Sequence, residues 1–219
     1  METGNKSVMG MLNSISKRER GFEFAVKINE DGSKNYGLKA FEGAKLPVYS
    51  TEKAAGADLF CAQAVTVPSI WKNVNTITKF IEKVKLLGSS KEVPVTSLPY
   101  ISEDEDAELH KIKPTLVHTG IKASMLDDEV LYIFNRSGGP KKGLVLANGV
   151  GVVDSDYYEN PDNDGEIMFA FFNILPWDVT INVGDRVGQG VFQKFLRPTK
   201  GLNVNNEERT GGFGSTGTT

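Results

Sequence analysis

Short stretches in which apolar and polar residues alternate dominate the chain. In Phe22–Ile28 every second side chain is apolar, which is the period of a half-buried β-strand. Six further stretches are strand-like: residues 65–68, 116–121, 130–134, 144–147, 167–173 and 191–195. Gly, Pro, Asn and Asp clusters separate them, and many short strands with such turns predict an all-β sandwich, jelly roll or barrel.

One region departs from this pattern. Near residues 75–87 apolar side chains recur at helical spacing, lysines occupy the other face, and Gly88 supplies a stop signal. The acidic run at 102–108 is interpreted as a solvated loop, because its spacing does not match an EF-hand. We therefore expect residues 69–113 to form a small helix-containing insertion.

The strand-like stretches and the insertion together set the expected domain organisation. We expect a β-domain over residues 21–208 that carries the insertion. Residues 1–20 are expected to form a mobile or loosely docked N-terminal arm, and residues 209–219 a mobile, glycine-rich C-terminal arm.

Composition narrows the class of protein. The chain has 219 residues, one cysteine, two histidines and a formal net charge of -3. A single cysteine excludes an internal disulfide, which favours a reducing, cytoplasmic setting. No apolar run reaches the roughly 20 residues that span a bilayer, and we expect no signal peptide or membrane contact. The charge balance does not favour a nucleic-acid polymer, whereas a few cations can hold a single nucleotide.

Two segments supply an acid and a candidate phosphate loop. In the first segment, residues 55–59 (AGADL), Asp58 follows a small-residue turn that aims one carboxylate; it could also be an ordinary turn aspartate. Residues 135–143 (NRSGGPKKG) combine an arginine, a hydroxyl, glycines and two lysines. Such a loop suits an oxyanion, although a plain hairpin with solvent-facing lysines is equally compatible.

A third segment, residues 148–158, delivers acids and tyrosines into a turn. Asp154 at a strand end could orient and deprotonate water, and Tyr157 could pack against a sugar. The alternative is a strand entering a polar turn with tyrosines that only pack. The following residues 160–166 (NPDNDGE) look like a hairpin tip, and we assign their acids to solvent.

A fourth and a fifth segment complete the set. The fourth, residues 184–190, combines a Gly-Asp turn with Gln189, which could be a structural amide in the next strand. Residues 209–217 (RTGGFGSTG) combine Arg209 and Phe213 with glycines whose N–H groups could converge on an anion. The latter is not a Walker loop, and it fits a lid over a nucleotide better than a disordered tail.

Taken together and in this order, the five segments resemble the five signature motifs of the trimeric dUTPases. The resemblance covers residues 40–68 and 114–217. It implies a dUTPase-like jelly roll or distorted β-barrel. It also implies hydrolysis of dUTP to dUMP and pyrophosphate, by a homotrimer whose active sites lie between subunits.

The resemblance also implies a role for individual residues. Asp154 is expected to activate the water that attacks the α-phosphorus in line, and Tyr157 to lie under the deoxyribose, where a ribose 2′-hydroxyl would clash. Mg²⁺ is the implied cofactor. It is held mainly by the substrate phosphates, and Asp58 supports it indirectly through water.

The remaining implied contacts go to the base and the phosphates. The base-reading hairpin contributes Asn148, Gly151 and Val152. The phosphate contacts come from Arg136, Ser137, Gly138 and Gln189. In the C-terminal arm Phe213 lies over the uracil, catalytic Arg209 reaches the terminal phosphates, and the neighbouring contacts are Gly214, Ser215 and Thr216.

The chain departs from the family pattern at several points. Asn135 stands where proline usually precedes the arginine, and that loop is one residue shorter, which leaves open whether Lys141 or Lys142 faces phosphate. One residue fewer separates Arg209 from Phe213. The combination of NRSGGP (135–140), DSDYY (154–158) and ENPDNDGE (159–166) resembles the phage-encoded branch, which implies a host cytoplasm as the site of action.

Two other functions fit parts of the sequence. One is a dCTP deaminase on the same fold, although the third segment resembles the hydrolase form. The other is a nucleotide-responsive regulatory protein that binds a protein partner through residues 69–113.

Overall fold

A computed structural model describes residues 19–73 and 113–200 of the chain. Within these ranges the regular elements are strands and short 3₁₀ turns, which confirms the all-β class. The strands are β1 (Gly21–Phe24), β2 (Val26–Ile28), β3 (Lys34–Lys39), β4 (Val48–Tyr49), β5 (Ala57–Phe60), β6 (Val65–Val67), β7 (Thr115–His118), β8 (Ile121–Ser124), β9 (Glu129–Asn135), β10 (Leu144–Leu146), β11 (Gly151–Val153), β12 (Met168–Asn173), β13 (Val179–Ile181) and β14 (Arg186–Lys194).

The described strands pair into antiparallel sheets. The largest has five strands in the order β11-β9-β14-β5-β4, and a second has three in the order β10-β12-β7. Three two-stranded pairs, β1-β8, β6-β13 and β2-β3, complete the described part. Strand β14 lies at the centre of the five-stranded sheet and pairs with β5 on one side and β9 on the other. This pairing brings the first, second and fourth segments together.

The core contains apolar side chains from both larger sheets. Phe169 and Phe171 of β12 have their ring centroids 6.0 Å apart and nearly parallel planes. They belong to the same buried cluster as Leu59 of β5 and Leu131 of β9. Full burial of side chains of this size contributes about 1.5–3 kcal/mol each. The packed core therefore fixes the strands from which the candidate site residues project.

Two of the predicted strands are interrupted. The stretch Phe22–Ile28 forms β1 and β2, because the backbone at buried Ala25 leaves the β8 pairing, donates its N–H to Gly120 O and accepts from the N–H of Ala40. The stretch 116–121 forms β7 and β8 because Gly120, with φ +65°, turns the chain between them. Alternation along the sequence does not reveal such exchanges of partner.

The chain entering β1 is fixed at its last two residues before the strand. Ser124 Oγ donates to the carbonyl of Glu19 at 2.7 Å, and Arg20 pairs with the buried carboxylate of Glu129. Residues 1–18 lie outside the described residues, as do the predicted helix near 75–87 and the C-terminal arm 209–219. The proposed domain limits therefore stay predictions.

The near end of the predicted insertion is anchored to the β-domain. Residues Ile70–Asn73 form a 3₁₀ turn. The indole Nε1 of Trp71 donates to Ile174 O at 2.9 Å, and Lys72 Nζ lies 2.6 Å from a carboxylate oxygen of Asp178.

Candidate active site

Asp58 is the centre of the candidate site. It lies in β5 directly opposite Gln189 of β14, and only 4% of its surface is exposed. One carboxylate oxygen lies 3.0 Å from Arg136 Nε. The other accepts from Ser50 Oγ at 2.7 Å and lies 3.5 Å from a guanidinium nitrogen of Arg186. One buried negative charge thus holds two arginines, so the local charge favours an anionic ligand.

The second segment folds into a tight loop beside this cluster. A 3₁₀ turn, Pro140–Lys142, ends at Gly143. Asn135, at the position of the usual proline, donates from its side-chain amide to the carbonyl of Leu144 at 2.8 Å and so joins the two ends of the loop. Ser137 and Gly138 are exposed at its tip, where they are accessible to a ligand.

The lysines of this loop differ in their surroundings. Both are exposed, but Lys142 lines a cleft of about 90 Å³ whose wall also contains Arg136, Arg186 and Thr180. Lys141 is not among the residues that line it. Arg186 was not singled out from the sequence as a site residue. It lies within the fourth segment, and its position there is the signal that could have identified it.

Gln189 projects toward the first segment. A Cβ atom placed on Gly56 would lie 2.8 Å from the Gln189 side-chain oxygen. The two segments are therefore in close contact at this point. The first, second and fourth segments meet within one subunit.

The third segment lies elsewhere in the same sheet. Asn148 is in an exposed turn, and β11 follows it with Gly151 buried against β9 and Val152 55% exposed. Asp154 is exposed and directly precedes a 3₁₀ turn, Ser155–Tyr157. Asp154 and the turn at Asn148 are therefore both accessible from outside the subunit.

Asp154 and the Asp58 cluster lie at opposite ends of β9. Val153 pairs with Leu131 near the start of β9, whereas Arg136 follows its last residue, Asn135. At about 3.3 Å per residue, Asp154 and Arg136 are separated by roughly 15–20 Å along this strand. One subunit does not bring the two together.

Tyr157 is packed into the core cluster with 7% of its surface exposed. Its hydroxyl donates to the carbonyl of Glu166 at 3.0 Å and accepts from the side-chain amide of Asn163 at 2.8 Å. Both partners belong to the turn that follows. Tyr157 is therefore held firmly in place by residues 160–166.

The assignment of the acids in 160–166 to solvent is wrong for two of them. Asp164 has no exposed surface and pairs with Lys34 and Lys122, while Glu166 is buried beside His118. They are buried because partners from β3, β7 and β8 compensate their charge. Only Asp162 is exposed as predicted.

His118 and Glu166 form a titratable pair in this region. His118 Nδ1 lies 3.0 Å from a Glu166 carboxylate oxygen, and the other oxygen accepts from the N–H of Gly120. The hydrogen bond to Glu166 raises the pKa of His118 and outweighs the opposing effect of partial burial.

The fifth segment lies outside the described residues, so Arg209, Phe213, Gly214, Ser215 and Thr216 stay predictions. Among residues 19–73 and 113–200, no three His, Cys, Asp or Glu side chains are grouped closely enough to hold a metal ion. In the same ranges, no helix is long and apolar enough to cross a membrane.

The described residues thus define an all-β protein in which one buried acid, Asp58, holds two arginines beside the largest sheet. The dUTPase family model matches residues 100–217, which is more than half of the chain. The chain belongs to the dUTPase family.

Individual relatives agree with the family match. A deoxyuridine 5'-triphosphate nucleotidohydrolase of Lactococcus lactis is 54% identical over 103 residues, covering 47% of this chain and 69% of the relative. One from Hydrogenobaculum is 29% identical over 184 residues, covering 82% and 94%. The crystal structure of dUTPase from Streptococcus mutans is 31% identical with a TM-score of 0.53, covering 82% of this chain and 98% of that one.

Proposed function

We propose that the chain hydrolyses dUTP to dUMP and pyrophosphate, by in-line attack of a water activated by Asp154 on the α-phosphorus. The family match supports the reaction. The observation that carries the proposed site is the convergence of Arg136, Arg186 and Gln189 around Asp58. A dCTP deaminase finds no support, since the relatives described above are dUTP nucleotidohydrolases.

The cations of this cluster bind the triphosphate. Arg136 and the exposed Ser137 and Gly138 contact phosphate oxygens, and Gln189 adds an amide from β14. Fixed donors of this kind stabilise charge that develops on the phosphate oxygens without needing to reorient during the reaction. We add Arg186, and we propose Lys142 rather than Lys141 as the loop lysine that faces phosphate, because it shares a cleft with both arginines.

The third segment provides the nucleoside subsite. Backbone groups of Asn148, Gly151 and Val152 pair with the uracil edge. The Tyr157 ring lies under the deoxyribose, and the Asp154 carboxylate takes the proton from water. The exposure of Asp154 and the firm fixation of Tyr157 support these separate roles, Asp154 as the base and Tyr157 as the ring under the sugar.

Mg²⁺ is the cofactor of this family, and the donors around Asp58 fit an indirect contact. Three groups already approach the Asp58 carboxylate, which has about four lone-pair sites. Mg²⁺ keeps several waters and commonly binds substrate phosphates plus one or two carboxylates. Bound in this way, it would neutralise part of the charge of the triphosphate.

We further propose a homotrimer with active sites between subunits. The separation of Asp154 from Arg136 along β9 supports this, because a complete site then needs the third segment of one subunit and the second of another. Arg209, Phe213, Gly214, Ser215 and Thr216 complete the site as a C-terminal arm that closes over the nucleotide.

Two finer proposals rest on sequence alone. The combination of residues 135–140, 154–158 and 159–166 supports a phage-type enzyme that acts in the host cytoplasm. Residues 69–113 remain a candidate surface for a protein partner.

Pyrophosphate release from dUTP, dTTP, dCTP and UTP with Mg²⁺ tests the proposal. Wild-type protein is expected to release pyrophosphate from dUTP alone, and Asp154→Asn is expected to lose about 10²-fold or more in kcat. Lys194→Gln, which alters an exposed ion pair with Asp128, is the control and should keep wild-type activity. Release that is unchanged in Asp154→Asn would remove Asp154 from the mechanism, and no release by folded wild type would overturn the reaction.

A further inference from the structure

A cluster of four charges, in which Asp164 and Lys122 are buried, follows the third segment. Asp164 accepts from the N–H of Val26 at 2.9 Å and pairs with Lys34 at 2.8 Å and Lys122 at 3.0 Å. Lys122 also lies 3.0 Å from Glu159, and Lys34 Nζ donates to the Glu159 carbonyl at 2.6 Å. The side chains of Asp164 and Lys122 are 0% and 3% exposed. Two positive and two negative charges thus join β2, β3 and β8 to residues 159–164.

Lys122 and Asp164 stay ionised despite their burial. Burial opposes the charged form of Lys122, but Asp164 and Glu159 outweigh this effect and raise its pKa. Burial likewise opposes the charge of Asp164, but Lys34, the Val26 N–H and Lys122 together lower its pKa. The Lys122 ammonium also lies 4.8 Å from the centre of the Tyr158 ring.

The cluster connects to Tyr157 through a short chain of hydrogen bonds. The N–H of Asp164 donates to Asn160 O at 3.1 Å, and the side-chain amide of Asn160 donates to the Tyr157 carbonyl at 3.0 Å. The Tyr157 N–H in turn donates to the Asp154 carbonyl at 3.1 Å. A displacement of Asp164 would therefore be transmitted to both residues of the nucleoside subsite.

Backbone conformation indicates that the turn is held by its surroundings. Glu159 and Asp164 both have φ +58°, a left-handed conformation that costs a non-glycine residue roughly 1–2 kcal/mol. Such conformations persist where surrounding contacts over-determine them, often near functional sites. Buried ion pairs commonly add little net stability compared with apolar residues of the same size. The Asp164–Lys122 pair is therefore better explained by the geometry that it imposes on the turn than by the stability that it adds.

We propose that Asp164 and Lys122 are positioning residues, which fix Tyr157 and Asp154 and thereby set the preference for deoxyribose over ribose. This inference rests on the proposed nucleoside subsite. Neither residue touches substrate; each acts through the turn that holds Tyr157. A ring that shifts by a fraction of an ångström no longer excludes the 2′-hydroxyl, while misplacement of Asp154 slows the attack of water.

The test compares kcat and KM for dUTP and UTP in four variants, together with urea unfolding. For Asp164→Asn we expect about a tenfold lower kcat on dUTP and about a tenfold smaller ratio of kcat/KM between dUTP and UTP. Lys122→Arg keeps the charge but must fit a larger, planar group into a buried site, so it should lose less of the dUTP/UTP preference than Asp164→Asn. Lys194→Gln is the exposed-pair control and should change neither the kcat nor the preference.

The double variant Lys122→Met/Asp164→Asn separates positioning from stability. It removes both charges, while the asparagine keeps an acceptor for the Val26 N–H and tolerates the φ of +58°, so its urea midpoint should approach that of wild type while the dUTP/UTP preference stays lost. The double variant also tests the proposal if the single variant Asp164→Asn does not fold. An unchanged preference in the double variant, with only stability altered in Asp164→Asn, would overturn the proposal.

Binding of non-hydrolysable imido analogues of dUTP and UTP distinguishes failure of the positioning proposal from failure of the proposed reaction. The ratio of the two dissociation constants reports on Tyr157 even if wild type releases no pyrophosphate. A ratio that is the same in wild type and the double variant would overturn the positioning role. A smaller ratio in the double variant supports that role whatever the outcome for catalysis.

Discussion

Gly165 packs against the backbone of residues 157–159, where the turn 160–166 contacts the third segment. Its φ is +80°, and a Cβ atom at this position would lie 2.6 Å from the Tyr157 carbonyl oxygen and 2.9 Å from the Glu159 nitrogen. Both neighbours are backbone atoms, which cannot move aside by a simple rotation. Gly165 therefore carries a steric constraint in addition to its conformational one.

Comparison of Gly165→Ala with Gly32→Ala isolates that steric constraint. Gly32 has almost the same φ, +81°, but a Cβ atom there would meet nothing within 4 Å. Gly32→Ala should lower the free energy of unfolding by roughly 1–2 kcal/mol through left-handed strain alone. Gly165→Ala should lose about 1–3 kcal/mol more, because overpacking adds to the strain. Equal losses in urea unfolding would contradict the close contact.

Strand β9 sets the distance between Asp154 and Arg136. One end leads into the loop 135–143 through Asn135, and the other lies beside the end of β11, after which Asp154 follows. Pairing of β9 with β14 over seven residues fixes this spacing. Elements of one subunit therefore hold Asp154 and Arg136 apart.

A second link between elements joins β7 to the buried turn through His118 and Glu166. Because the folded-state pKa of His118 is raised, the stabilisation from this pair is fully present below the unfolded pKa and is lost as pH rises through the folded value. Urea unfolding of wild type and His118→Gln should therefore differ more at about pH 5.5 than at about pH 8.5. Lys194→Gln is the matched control, since its difference from wild type should stay constant across this range. A constant difference for His118→Gln would argue against the pair.

Sequence pattern predicted those elements whose signals are local. Alternation predicts strands such as β9 and β12, and residue types alone mark the segments around Asp58, Arg136 and Gln189, which strand pairing then brings together. The exchange of strand partners at Ala25 depends on contacts between residues distant in sequence. The burial of Asp164 has the same origin, since its partners Lys34 and Lys122 come from other strands. Periodicity contains no information about such pairings.

The separation of Asp154 from Arg136 along β9 makes the proposed site between subunits testable by complementation. If the site lies between subunits, a chain that lacks Asp154 and a chain that lacks Arg136 can complement each other. Each mutated chain alone has the same defect in every site. A mixed trimer, in contrast, contains some sites in which both residues are present.

Co-expression of Asp154→Asn and Arg136→Gln chains in equal amounts should therefore restore activity. With random assembly, about a quarter of the sites would combine an intact Asp154 with an intact Arg136 from another subunit. Sedimentation should report trimers in all samples, so that recovery is not a consequence of altered assembly. Mixed protein that is no more active than its parents would require a site within one subunit. A double-mutant chain co-expressed with wild type then discriminates further, because it should retain about a quarter of the intact sites if they are shared and about half if they are not.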